Sequence, residues 1–201
     1  MNETDFIKLV RKHTAEYNTE LYITKGKRVN CTGMRTNGYF DHMSEPARLA
    51  VATGDSAKWF WVFVHEYCHF NQWIEQCAGW LEYEKYVKHW DVYASGICPN
   101  VKGMDVIKEF QCARDLELDC EKRVVRMIKK YNLPIKVEDY IRNANAYVYF
   151  YSYVRDNARW YKVAPYRVKE ILKVMPTKFL TTKQYDKLPS GYVELIEKYC
   201  L

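Results

Sequence analysis

Two histidines and a glutamate stand inside one of the most apolar stretches of the chain, WVFVHEYCHF at residues 61–70. Buried ionisable groups cost free energy unless a partner compensates them. His65 and His69 are four residues apart, so on a helix both imidazoles lie on one face. There they can converge on one tetrahedral metal ion, while Glu66 can reach a water molecule on that ion. The spacing is the H-E-x-x-H pattern of zinc metallopeptidases.

The same motif has a simpler interpretation, a helix whose histidines hydrogen-bond to backbone groups or to each other. Its setting favours the metal, because a predicted strand precedes the motif, which lies in mid-helix beside an apolar face. We therefore predict that the protein binds Zn²⁺ through His65 and His69. Glu66 is predicted to be the catalytic general base that takes a proton from the zinc-bound water.

A catalytic zinc site needs a third protein ligand and one open position. The candidates downstream are His89 and the acids of RDLELDCEKR, namely Asp115, Glu117, Asp119 and Glu121. Glu117 and Glu121 share a helix face with the apolar residues Val124, Val125 and Ile128. We therefore favour Glu117 as the third ligand, with Glu121 as the outer partner of a ligand histidine. His89 and Asp119 are the alternatives, and Cys68 is expected to be a packed side chain.

Short β-prone runs and longer helical periodicities predict an α+β fold. ELYITKG, RVNCTG, NGYFDH and ARLAVATG indicate a small, mostly antiparallel N-terminal sheet, in which residues 48–53 are expected to be an edge strand that aligns an extended peptide. A first helix is predicted over residues 4–17 with Thr4 as its cap, and the motif helix from a cap at Asp55 or Ser56 to about Cys77. The mainly helical C-terminal half has candidate helices near 79–94, 104–132, 137–157 and 165–174.

Composition and charge narrow the class of protein. The 201 residues are 48% hydrophobic and 16% aromatic, which is typical of a folded globular chain, and we predict a single domain over residues 1–201. No apolar run is long enough to span a membrane, and no signal peptide is recognisable, so a cytoplasmic protein is expected. Seven cysteines without a CxxC pair are expected to be free thiols. The net charge of +6 is low for a dedicated nucleic-acid binder, although the basic segment 122–136 leaves a nucleic-acid partner as a minor alternative.

The stretch NGYFDHMSEPARLAVATGDSAKWFWVFVHEYCHF resembles the ImmA/IrrE-type zinc metallopeptidases, and ELDCEKRVVRMIKKYNLP is similar to their second helix. Glu117, Cys120 and Pro134 stand at that helix's characteristic positions. The chain also resembles small metallopeptidases encoded by tailed phages, and the resemblance covers roughly residues 36–155. It implies a zincin fold of gluzincin type, and host cytoplasm as the location of a phage-encoded protein.

The function predicted from the sequence is a zinc-dependent peptidase that hydrolyses peptide bonds of a protein or peptide substrate. The alternative is a non-catalytic, zinc-containing phage–host interaction protein that binds its partner through the basic helical face. Glu66 discriminates between the two functions, because holding a metal alone does not require it.

Overall fold

The computed structural model describes residues 1–54, 58–89 and 105–201, and within them the architecture is α+β, as predicted. The strands are β1 (Thr19–Thr24), β2 (Val29–Cys31), β3 (Met34–Thr36), β4 (Gly38–Asp41) and β5 (Ala47–Ala52). The helices are α1 (Glu3–Glu16), α2 (Trp59–Ile74), α3 (Ala78–Tyr86), α4 (Val106–Tyr131), α5 (Val137–Asn157), a 3-10 turn (Pro165–Arg167), α6 (Lys169–Val174), α7 (Thr182–Tyr185) and α8 (Tyr192–Tyr199). After α1 the five strands therefore follow one another, and helices dominate the remainder.

The main sheet has three strands in the order β1-β5-β4. β1 runs parallel to β5, with Leu21 opposite Leu49, and β4 runs antiparallel to it, with Phe40 opposite Leu49. β2 and β3 form a separate antiparallel pair. The main sheet is therefore mixed, and the prediction of a mostly antiparallel sheet holds for two of the three pairings among the described strands.

The prediction that residues 48–53 form an edge strand is wrong. β5 is the central strand and pairs on both sides, so an extended peptide cannot add to it. The physical reason is visible in its side chains, because Leu49, Ala50 and Val51 are all fully buried. A continuous apolar run is typical of a strand that is covered on both faces, whereas a half-exposed strand alternates.

The chain divides into two compact units. The first comprises Met1–Cys77 and Arg123–Ile135, and the second comprises Ala78–Lys122 and Lys136–Leu201. The chain passes from one unit to the other within α4. A single domain over the whole chain stays a prediction.

In the first unit, α1 packs against α2. Phe6 is fully buried, and its ring makes edge-to-face contacts with Phe60, Phe63 and Tyr67 at centroid distances of 5.8–6.1 Å. The predicted Thr4 cap is wrong, because Asn2 caps α1 by accepting a hydrogen bond from the Asp5 N–H at 2.9 Å. Asn2 stands before the first helical residue, where a side-chain oxygen can reach that N–H. The caps predicted for α2, Asp55 and Ser56, lie outside the described residues.

In the second unit, the aromatic segment AYVYFYSYV is helical, as predicted, and belongs to α5. Val148, Phe150, Tyr153 and Val154 are buried there in a core shared with α6 and α8. The candidate helix at 79–94 corresponds to α3, and residues 90–94 lie outside the described part of the chain. The candidate at 165–174 divides at Val168 into the 3-10 turn and α6.

Two further predictions concern the thiols and the membrane. The cysteines among the described residues are all free, as predicted, while Cys98 lies outside them. Of the helices in the described ranges, none has the length and apolar character needed to cross a bilayer.

Candidate metal centre

α2 carries the three motif residues and orients the two histidines toward each other. The Nε2 atoms of His65 and His69 are 3.1 Å apart. Two nitrogens that each lie about 2.0–2.1 Å from a tetrahedral zinc ion are separated by about 3.3 Å. The two rings hydrogen-bond to each other, which the simpler interpretation of the motif also allows, and their spacing is almost the one that a shared ion requires.

Gln72 contacts the ring nitrogen of His69 that does not face His65. Its Oε1 atom accepts a hydrogen bond from His69 Nδ1 at 2.9 Å, and its side chain is fully buried. A neutral imidazole that carries its proton on Nδ1 presents a lone pair on Nε2. A ligand histidine usually donates its other ring N–H to an outer acceptor, and Gln72 fills that role for His69.

The sequence analysis missed Gln72. Its position was visible, because Gln72 follows His69 by three residues and therefore lies on the same helix face. The expected outer partner was a carboxylate on a second helix, whereas a side-chain amide one turn away on α2 itself provides the acceptor.

Glu66 follows His65 on α2, and β4 passes close to it. Only 9% of Glu66 is exposed. A β-carbon added to Gly38 of β4 would lie 3.2 Å from Glu66 Cγ, 2.6 Å from Val62 Cγ1 and 3.1 Å from the Ala50 carbonyl oxygen. Because glycine has no side chain, β4 can pass next to the base that the motif predicts.

In the second unit, α4 presents Glu117 to two tyrosines of α5. The Tyr151 hydroxyl donates to Glu117 Oε1 at 3.2 Å, and the Tyr147 hydroxyl is 2.8 Å from that of Tyr151. Burial raises the pKa of both phenols well above the ordinary value, and the negative charge of Glu117 raises each pKa further. The phenols therefore stay protonated and can hold the carboxylate in a defined orientation.

The other sequence-predicted residues also have partners within the second unit. Glu121 is buried and accepts a hydrogen bond from the Tyr140 hydroxyl. His89 Nδ1 is 2.8 Å from Glu109 Oε1, while Glu109 Oε2 accepts from the backbone N–H of His89 at 3.1 Å. Asp119 is partly buried on α4. The roles predicted for Glu117 and Glu121, and the alternatives His89 and Asp119, stay predictions.

A further donor enters the set of candidate ligands. It is Cys120 of the second unit, because a deprotonated thiol is a zinc ligand. Cys120 is fully buried and lies on α4, three residues after Glu117. The sequence analysis considered a thiolate ligand only at Cys68 and therefore missed this donor.

In comparisons with known proteins, no family model, curated protein or solved structure matches the chain.

Proposed function

We propose that the protein is a zinc-dependent peptidase of the gluzincin type. The observation that carries the proposal is the pair of imidazole Nε2 atoms on α2, 3.1 Å apart, with a buried glutamate next to them in sequence. A pair of histidines that served only the packing of a helix would not need Glu66. The proposed substrate is a protein or peptide, and the proposed cofactor is Zn²⁺.

His65 and His69 would hold the ion with their Nε2 atoms. When bound there, zinc would polarise the scissile carbonyl and make a water molecule acidic enough to react near neutral pH. Glu66 takes the proton from the attacking water and delivers it to the leaving amine.

The third ligand is proposed to come from α4, and two residues are candidates. Glu117 was favoured by the sequence, and its hydrogen bond from Tyr151 is the support that a ligand carboxylate usually has. Cys120 is a fully buried thiol on the same helix, and a thiolate is an equally good zinc ligand. Metal analysis of Glu117→Ala and Cys120→Ser separates them, because replacing the true ligand should release the ion.

β4 is the strand that we propose to align the substrate. It is an outer strand of the main sheet, whereas the predicted strand β5 is paired on both sides. Gly38 of β4 lies against Glu66. An extended peptide that added to this strand would pass close to the base.

The decisive experiment compares the wild type with Glu66→Gln. The amide is similar in size but cannot accept the proton, so Glu66→Gln should retain the metal and lose about 10²–10⁴-fold in peptidase rate on any cleaved protein. The matched control is Glu16→Gln, the same change at an exposed site on α1. An unchanged rate in Glu66→Gln would exclude Glu66 as the base.

The second candidate function is a non-catalytic phage–host interaction protein that keeps the metal for stability. The observation that favours it is the basic segment 122–136, which carries six lysines and arginines. If the wild type contains zinc and a peptide-library screen detects no cleavage, this function replaces the peptidase.

A further inference from the structure

A concave pocket lies in the first unit, between α2 and the C-terminal part of α4. Its volume is about 400 Å³. Its charged lining residues are Glu75 at the end of α2 and Arg123, Arg126 and Lys130 on α4. Met127 of α4 adds an apolar side chain to the lining. The volume is that of a site for a few side chains or a small ligand.

Positive charge dominates this pocket. Arg123, Arg126 and Lys130 contribute three positive charges against the one negative charge of Glu75. Arg126 and Lys130 are exposed and four residues apart, so they lie on one face of α4. Three of the four charged residues that line the pocket are therefore basic.

The pocket already holds a carboxylate of the protein itself. Arg123 Nη1 is 2.6 Å from Glu75 Oε2, and the Arg123 side chain is only 16% exposed. Guanidinium groups match the geometry of carboxylates, and a partly buried one is screened less by salt than a surface charge. Arg123 therefore binds a carboxylate of the chain itself at this wall of the pocket.

We propose that the pocket is a docking site for an acidic polypeptide segment, whose carboxylates meet Arg126 and Lys130 and compete with Glu75 for Arg123. Met127 packs against the methylene groups of the bound glutamate side chains. Docking requires neither metal nor catalysis, so the proposal is independent of the peptidase chemistry.

A nucleic acid fits the pocket less well than an acidic peptide. None of the described residues that line the pocket is aromatic, so unpaired bases find no stacking surface there. A concavity of this size accepts side chains, whereas a duplex needs a longer basic surface.

The test measures binding of a fluorescein-labelled octaglutamate peptide by anisotropy at low salt. The full chain carries Glu66→Gln so that the probe is not cleaved. We expect a dissociation constant below about 1 mM for the wild-type pocket. Lys130→Gln should raise it at least about threefold, and the double change Arg126→Gln/Lys130→Gln should raise it at least about tenfold.

The matched control is Lys129→Gln. It removes the same charge from the neighbouring exposed position, which does not line the pocket, and should change the affinity less than twofold. Glu75→Gln removes the internal competitor and should tighten binding about threefold, a gain that misfolding cannot produce. Thermal melting verifies that each variant is folded.

Three results would overturn the proposal. The first is no detectable octaglutamate binding up to 1 mM. The second is an equal loss of octaglutamate affinity in Lys129→Gln and Lys130→Gln, which would indicate non-specific attraction of the peptide to the positively charged protein. The third is that a 12-nucleotide single-stranded DNA binds more tightly than octaglutamate and that the same pocket variants weaken its binding. That result would make the pocket a nucleic-acid site.

Discussion

Replacing Gln72 by methionine should weaken zinc binding without removing any ligand. Methionine is similar in length and can fill the buried position, but it provides no acceptor for the His69 Nδ1–H that Gln72 Oε1 now binds at 2.9 Å. The loss falls mainly on the metal-bound form. In the metal-free form His69 can move its proton to Nε2, whereas a ligated Nε2 forces the proton to stay on Nδ1.

The size of the effect follows from the cost of leaving that N–H without an acceptor. An unsatisfied buried donor costs about 1–3 kcal/mol, and about 1.4 kcal/mol corresponds to a tenfold change in affinity. Gln72→Met should therefore raise the dissociation constant for zinc between about 5-fold and 150-fold. The range of about 10–100-fold that is usual for outer partners of metal ligands lies inside it.

The assay is competition for zinc against a fluorescent chelator at fixed pH. Gln72→Glu keeps an acceptor at the same place and should bind zinc at least as tightly as the wild type. Gln76→Met makes the same chemical change at an exposed position and should leave the affinity unaltered. Zinc affinity within twofold of the wild type in Gln72→Met, with binding lost in His69→Ala, would refute the role assigned to Gln72.

Three further predictions concern packing, the second unit and alkaline pH. Gly38→Ala should destabilise the protein by about 1–3 kcal/mol in urea unfolding, because the added β-carbon would lie 2.6 Å from Val62 Cγ1. The control is Gly79→Ala, whose added β-carbon would lie 3.7 Å from its nearest neighbour and which should be neutral or stabilising. Equal effects of the two changes would contradict the close approach at Gly38. Tyr151→Phe should weaken zinc binding about tenfold if Glu117 is the third ligand, as measured in the chelator assay, and an unchanged affinity would favour Cys120. Burial raises the pKa of Tyr67 above its ordinary value, so the folded chain holds this proton more tightly than the unfolded chain, and stability should be unaffected well below pH 10 and fall above it. Tyrosinate absorbance recorded during unfolding at pH 9–12 checks this, and stability that rose with pH would contradict it.

The sequence by itself determined much of the local structure, including the placement of the two motif histidines. The spacing of His65 and His69 required one helix face, because 3.6 residues complete a turn whatever the remainder of the fold does. β-prone runs bounded by glycine, asparagine and proline located the strands for a similar reason, since backbone preferences act over a few residues. The helical interpretation of AYVYFYSYV also depended on its immediate neighbours.

Only the tertiary structure decided which elements become neighbours. β5 is central rather than an edge because β1, more than 20 residues earlier, pairs with it in parallel, and no local pattern encodes strand order. The close passage of Gly38 beside Glu66 and the pocket formed by Glu75 and Arg123 join residues that are 28 and 48 positions apart. Such contacts depend on the packing of complete side-chain surfaces, so they emerge when the chain folds and cannot be deduced from the periodicity of either segment.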